Sequence, residues 1–246
     1  MILEISELGK RFHEAEGVSH DALRDVNLRV ETHEFVSLVG ASGCGKSTLL
    51  RIVSGLERAS EGAVRLDARD VEGPTPDVAM VFQDPRLMPW LTVRDNIRLA
   101  LLKLPRAEQD ARIEAALAKV GLAAFGAALP RQLSGGMAQR AALARALVRK
   151  PSVLLLDEPF SALDSFMRMK LQDHIHELWR DDKFTALFVT HDAEEAIVLS
   201  DRVVVMRGHP GRIERVIPVD LPRPRVRTSP GVQALKEEII RALHLS

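Results

Sequence analysis

The chain has 246 residues, 46% of them hydrophobic, which suits one substantial soluble domain with a buried core. Its 34 Lys and Arg balance 34 Asp and Glu, so no basic excess recommends nucleic acid or an anionic membrane surface as a partner. The single cysteine excludes an internal disulfide and a cysteine-based metal site, and no apolar run approaches the ~20 residues that span a bilayer. With no leader-like segment at the N-terminus, the chain is expected to stay in the cytosol.

Ile2-Leu3-Glu4-Ile5 and Val26-Asn27-Leu28-Arg29-Val30 alternate with period two and predict antiparallel strands, with Glu31-Thr32-His33 as a turn. Between them lies a lengthened segment running from Phe12 to Asp21. The apolar run at residues 34–39 predicts a strand. It leads into Gly40-Ala41-Ser42-Gly43-Cys44-Gly45-Lys46-Ser47, a complete G-x-x-x-x-G-K-[ST] loop, and then a helix over residues 47–53 that stops at Gly55. In this strand-loop-helix setting the glycines let successive backbone N–H groups turn inward around phosphates. Lys46 adds a cation for the outer phosphates, the Ser47 hydroxyl can ligate magnesium, and Thr48 continues the same first turn. Cys44 sits at a helix start beside Lys46, a setting that favours thiolate and a reactive, accessible sulfur; the alternative is a side chain turned into the core behind the loop.

A further strand is predicted near Val64-Arg65-Leu66, after which the pattern becomes helical up to Pro151. Thr92 caps a helix over residues 93–102, Pro105 starts one that ends near Gly121, and Ser134 opens a third. Ser134 is a good N-cap, and Gly135 and Gly136 leave the first-turn N–H groups uncovered, so a second helix end is offered to an anion.

Beyond Pro151, Val153-Leu154-Leu155-Leu156-Asp157-Glu158 is an apolar run ending in two acids, as expected of a strand buried on both faces of a parallel sheet. Helices at residues 165–179 and 193–199 alternate with strands at 186–189 and 203–206, and residues 212–219 predict an edge strand after a turn at 208–211. Pro222, Pro224 and Pro230 mark a linker before a short helix over residues 232–245, and Arg223, Arg225 and Arg227 are read as a solvated tail. His174 and His176, two apart, point to different helix faces and are read as solvated side chains rather than metal ligands.

Taken together, the phosphate loop, Leu133-Ser134-Gly135-Gly136-Met137 and the Asp157-Glu158 strand resemble the nucleotide-binding subunit of an ABC transporter, over nearly the whole chain. Gln83 after Val78-Ala79-Met80-Val81-Phe82 resembles that family's glutamine loop, Ser161-Ala162-Leu163-Asp164 its aspartate loop, and His191 its switch histidine. Phe82-Gln83-Asp84-Pro85-Arg86-Leu87-Met88-Pro89-Trp90, Leu171-Gln172-Asp173-His174-Ile175-His176-Glu177-Leu178-Trp179 and Leu221-Pro222-Arg223-Pro224-Arg225 are similar to the importer branch that takes up nitrate, alkanesulfonates or taurine. The resemblance implies an α/β fold of P-loop NTPase type: a parallel-sheet core, an N-terminal antiparallel β subdomain and an all-helical subdomain inserted at about residues 84–150. An ATPase domain would cover residues 1–221, followed by the 222–246 linker and helix.

The same resemblance implies ATP and Mg2+ as ligands, with Ser47, Asp157 and Gln83 at the metal, Glu158 as the base for the attacking water, and His191 at the γ-phosphate. Tyrosine, which the family commonly stacks on adenine, is absent from the chain, and Phe12 is the candidate in its place. Ser134, Gly135 and Gly136 are expected to meet ATP bound to a second copy in a head-to-tail dimer. Met137 departs from the family's usual glutamine and puts one polar contact to the partner's nucleotide in doubt. Leu87, Met88, Pro89 and Trp90 form either a surface for a membrane permease subunit or core of the helical lobe. The implied activity is an ATPase on the cytoplasmic face of the membrane, acting through permease subunits and, indirectly, a periplasmic binding protein, with no role for nucleic acid. The alternative is a soluble ABC-type ATPase not coupled to transport. A GTPase switch would need an Asn-Lys-x-Asp motif, which is not found.

Overall fold

The computed structural model describes residues 2–13 and 19–244, residue 244 by its backbone alone. In chain order the strands are β1 (Leu3–His13), β2 (Ser19–Val30), β3 (Phe35–Gly40), β4 (Glu61–Leu66), β5 (Arg69–Asp70), β6 (Val78–Val81), β7 (Val153–Asp157), β8 (Thr185–Thr190), β9 (Arg202–Arg207) and β10 (Arg212–Pro218). The helices are α1 (Lys46–Val53), α2 (Val93–Arg98), α3 (Arg106–Lys119), α4 (Gly135–Leu147), α5 (Ser165–Asp182), α6 (Ala193–Leu199) and α7 (Pro230–His244). The chain divides into two compact units, residues 1–75 with 185–246, and residues 76–184.

In the first unit an antiparallel sheet runs β2-β1-β4-β5. Along β2 the buried Leu23, Val26, Leu28 and Val30 mark its core face, the periodicity that made it legible as a strand. The hairpin arms of β1 and β2 extend through the lengthened segment, with Phe12 opposite His20 and His13 opposite Ser19; residues 14–18 lie outside the described residues. In the same unit β3 lies between parallel β8 and β9, and β10 pairs antiparallel with β9. Every residue of β3 and of β8 is buried, as a strand covered on both faces requires.

The C-terminal stretch is not a solvated tail. Val232, Ile239 and Ala242 of α7 join the core formed by Val39, Ile197, Val203, Val205, Ile217 and Val219. Arg225 donates to the carbonyls of Ile197, Ser200, Val219 and Leu221, and Arg223 to Leu199 O and to Asp201. Arg227 and Lys236 pair with Glu194. The reason is the end of α6, whose last carbonyls have no intrahelical donors and are covered by guanidinium groups instead. Burial, and next the like charge of Arg223, pull the Arg225 pKa down to about 10. Leu245, placed in the last helix by its sequence, lies outside the described residues.

In the second unit β6 and β7 pair in parallel, and α2, α3 and α4 enclose a core of Val93, Ile97, Ile113, Leu117, Val120, Ala141 and Ala144. This unit is wider than the helical stretch read from the sequence, since β6, β7 and α5 belong to it. The helix expected over 93–102 is α-helical only to Arg98 and tightens to a 3-10 turn over Leu99–Leu101.

Candidate nucleotide-binding site

The phosphate loop leaves β3 at Gly40, where a side chain cannot fit: a Cβ would lie 2.5 Å from Met206 O and 2.7 Å from Cys44 Sγ. At the far side Gly45 has φ +90° and serves as the N-cap of α1 without a side-chain cap. No side chain caps this end of α1, a helix N-terminus of the kind that binds anions, and Ser47 and Thr48 stand half-buried in its first turn. Lys46 is only 5% exposed, and its ammonium donates to Gly40 O and Ala41 O at 2.8 and 2.9 Å, a cation gathered onto the loop by carbonyls. Ala41, Ser42 and Gly43 are exposed on the outer side of the turn.

Cys44 points the other way. It is 1% exposed, and burial pushes its thiol pKa up despite the Lys46 ammonium nearby, which corrects the expectation of a reactive thiolate. Of the two alternatives, the side chain turned into the core behind the loop is the one observed, and desolvation outweighs the lysine.

His209, near the loop, gave no sequence signal. The His209 ring lies over Gly43, 3.1 Å from where a Cβ would stand, and shares a cavity of about 300 Å³ with Arg11, Ser19, His20, Asp21 and Pro210. Asp21 is held by the Arg11 and Arg24 guanidiniums, which lower its pKa to about 2. Phe12 is half-exposed on β1, and the Lys10 ammonium sits 4.6 Å from its ring centre. His191, directly after β8, is exposed, and Asp192 caps α6 behind it.

In the second unit Asp157 ends β7 and is 8% exposed. Glu158 follows with φ +44°, a left-handed conformation uncommon for a residue with a side chain and of the strained kind that clusters at functional sites. The turn is closed by Ser161, whose N–H and hydroxyl both donate to Glu158 O. Asp164 then caps α5 through the N–H groups of Phe166 and Met167. Ser134 caps α4 as expected, accepting from Met137 N at 3.3 Å, with Gly135 and Gly136 in the first turn. The Met137 side chain packs against the helical core, which accounts for an apolar residue where the family has glutamine.

Gln83 is exposed, two residues beyond β6. The loop it begins is fastened to α4: Gln139 donates to Phe82 O at 3.1 Å, and the Arg145 guanidinium donates to Pro85 O and Arg86 O, both at 2.8 Å. Fully buried Asn96 holds the next stretch, accepting from Met88 N and donating to Met88 O, Leu91 O and Thr92 O. The outcome is a braced loop on which Trp90 is 72% exposed, so Trp90 is not core of the helical lobe, whereas Leu87 packs against that core. His174 is not solvated: it is half-buried, burial lowers its pKa, and it lines a cavity with Gly136, Arg140, Met167, Lys170 and Leu171. The His176 ring lies 5.8 Å from that of Trp179. Thus the phosphate loop and His191 fall in one compact unit, and Gln83, Ser134, Asp157 and Glu158 in the other.

Residues 23–161 match the family described as "ABC transporter". The chain is 49% identical over 247 residues to the aliphatic sulfonates import ATP-binding protein SsuB 1 of Xanthomonas axonopodis pv. citri, covering 98% of this chain and 96% of that protein. It is 43% identical over 253 residues to the bicarbonate transport ATP-binding protein CmpC of Synechococcus elongatus, covering 99% of this chain and 38% of that longer one. Among solved structures it is similar to the dimeric post-hydrolysis state of the ATP-binding cassette MJ0796 bound to ADP and Pi, with TM-score 0.79, 32% identity, and coverage of 89% of this chain and all of that one.

Proposed function

The chain belongs to the ABC transporter family as the ATP-binding and ATP-hydrolysing subunit of an importer, and we propose that the solute it moves is an alkanesulfonate or a similar small oxyanion. The observation that carries the nucleotide assignment is the glycine-capped N-terminus of α1 with the buried ammonium of Lys46 on the same loop. The solute assignment rests on the near-full-length likeness to sulfonate import proteins.

In this reading the loop from Gly40 to Thr48 binds the phosphates of ATP, and Glu158 takes a proton from the attacking water while His191 orients the γ-phosphate. Gln83 lines up water and carries the state of the nucleotide to its loop. Ser47, Asp157 and Gln83 would hold Mg2+, which when bound draws charge off the terminal phosphate oxygens. Their hydroxyl, carboxylate and amide oxygens are the hard donors this ion takes. Magnesium needs few protein ligands beside phosphate. Phe12 offers its ring to adenine, beside the cavity that His20 and His209 line.

Two copies assemble head to tail, so that Ser134, Gly135 and Gly136 of each meet the ATP held by Lys46 of the other. Closure on ATP and opening after hydrolysis then move permease subunits seated on Leu87, Met88, Pro89 and Trp90, at the cytoplasmic face of the membrane. A periplasmic binding protein delivers the solute on the other side.

The test is reconstitution with the cognate membrane permease subunits and their periplasmic binding protein. ATP hydrolysis should rise when the binding protein carries an alkanesulfonate. Stimulation by an unrelated solute, with none by sulfonates, would overturn the assignment.

A further inference from the structure

Glu195 is a carboxylate on the inner face of α6, 5% exposed, and a buried carboxylate persists only where it is bonded. Its Oε2 accepts from the hydroxyl of Thr190 at 2.5 Å, and Thr190 is itself 2% exposed. The same hydroxyl oxygen accepts the backbone N–H of Asp192 at 3.0 Å. Asp192 in turn caps α6, its carboxylate accepting from Glu194 N at 2.8 Å and Glu195 N at 3.4 Å. In an ordinary capping box the third helical residue reaches back to the N-cap amide directly. Here a threonine hydroxyl stands between the two, and the anchor spans from residue 190 to residue 192. The residue enclosed by that anchor is His191, whose own side chain is exposed.

We propose that Glu195 is a positioning residue for His191: through the Thr190 hydroxyl it holds the peptide that follows the histidine, so that an exposed imidazole stands on a fixed base. The role rests on the reading of His191 as the group that meets the γ-phosphate. Helix capping alone does not call for the arrangement, since Asp192 already satisfies the first-turn N–H groups of Glu194 and Glu195. A shift of about 1 Å in a group that orients the reacting phosphate lowers turnover by up to about a hundredfold without weakening ground-state binding.

The experiment compares Glu195→Ala, Glu195→Gln, Thr190→Val and Thr190→Ser in the full chain, each alone and with His191→Ala, reading kcat, the KM for ATP and thermal unfolding. Glu195→Ala and Thr190→Val should lower kcat by roughly ten- to a hundredfold with KM within about twofold of wild type. Thr190→Ser, which keeps the hydroxyl, and Glu195→Gln, which keeps an acceptor, should recover most of the rate. On the His191→Ala background neither truncation should reduce the residual rate further. Wild-type kcat in both truncations, or an equal further loss on the His191→Ala background, overturns the proposal. Should Glu195→Ala not fold, Thr190→Val and Thr190→Ser decide by the same criteria. Unchanged turnover in His191→Ala alone would instead remove the reading of His191 on which the proposal stands.

Discussion

Replacing Arg225 with methionine separates a structural arginine from a solvated one. The guanidinium makes bonds to four carbonyls: Nη1 to Ile197 O and Ser200 O at 2.5 Å, Nη2 to Val219 O at 3.0 Å and Nε to Leu221 O at 3.2 Å. Two of these acceptors close the C-terminal end of α6, where a cation also meets the negative end of the helix dipole. Fully buried charge-assisted bonds contribute about 1.5–3 kcal/mol each. This side chain is only half-buried, so water screens part of each bond and can replace some of them; methionine, moreover, keeps the apolar stem. We therefore expect a net loss of about 3 kcal/mol for the group as a whole, against a total stability of about 5–15 kcal/mol. At roughly 2–4 °C per kcal/mol for a chain of this size, thermal unfolding should move down by about 6–12 °C. Arg225→Lys, a point charge without the fork, should fall between. The assay is the melting of the full chain followed by circular dichroism. A melting temperature within about 2 °C of wild type would refute the clamp and restore the solvated tail that the sequence suggested.

Three further outcomes follow from the sites. Maleimide should label Cys44 slowly, on the order of a hundredfold below the unfolded chain, because the thiol reacts only after a local opening that costs a few kcal/mol; rapid labelling that Mg-ATP blocks, read by mass spectrometry, would contradict its burial. Asn96→Ala should cost about 1–3 kcal/mol through the orphaned Met88 N–H and should speed exchange of that amide, whereas unchanged exchange would show that the loop below Trp90 is braced by something else. Lys46→Ala should weaken ATP binding by about ten- to a hundredfold, the worth of a charge-assisted bond to phosphate, and affinity within about threefold of wild type would remove Lys46 from the phosphates.

The order of strands and helices was legible because period-two and period-3.6 patterns are local, and because Thr92, Pro105 and Ser134 announce helix starts. The phosphate loop was legible for a related reason: its chemistry requires fixed residue types at fixed spacing. What stayed hidden depends on distant partners. Arg223 and Arg225 look like a charged tail because their acceptors are backbone carbonyls of α6 and the following turn, which no side-chain pattern reveals. The sequence could not choose between an accessible and a buried Cys44, because its position beside a lysine is local while its burial depends on the fold around it. His209 over Gly43, and Gln139 and Arg145 on the glutamine-loop carbonyls, are contacts between segments far apart in the chain. Periodicity carries no trace of them. The strained φ of Glu158 is a backbone property, equally silent in the sequence.

The central claim is that Glu158 is the base and that ATP is shared between two copies of the chain. Sedimentation of Glu158→Gln with and without Mg-ATP, beside its turnover, tests both at once. The variant should form a dimer only with nucleotide and should hydrolyse ATP ~10²–10⁴ more slowly than wild type, while Lys46→Ala and Ser134→Arg stay monomeric under the same conditions. Wild-type hydrolysis by Glu158→Gln, or dimers formed as readily by Lys46→Ala, would contradict the account.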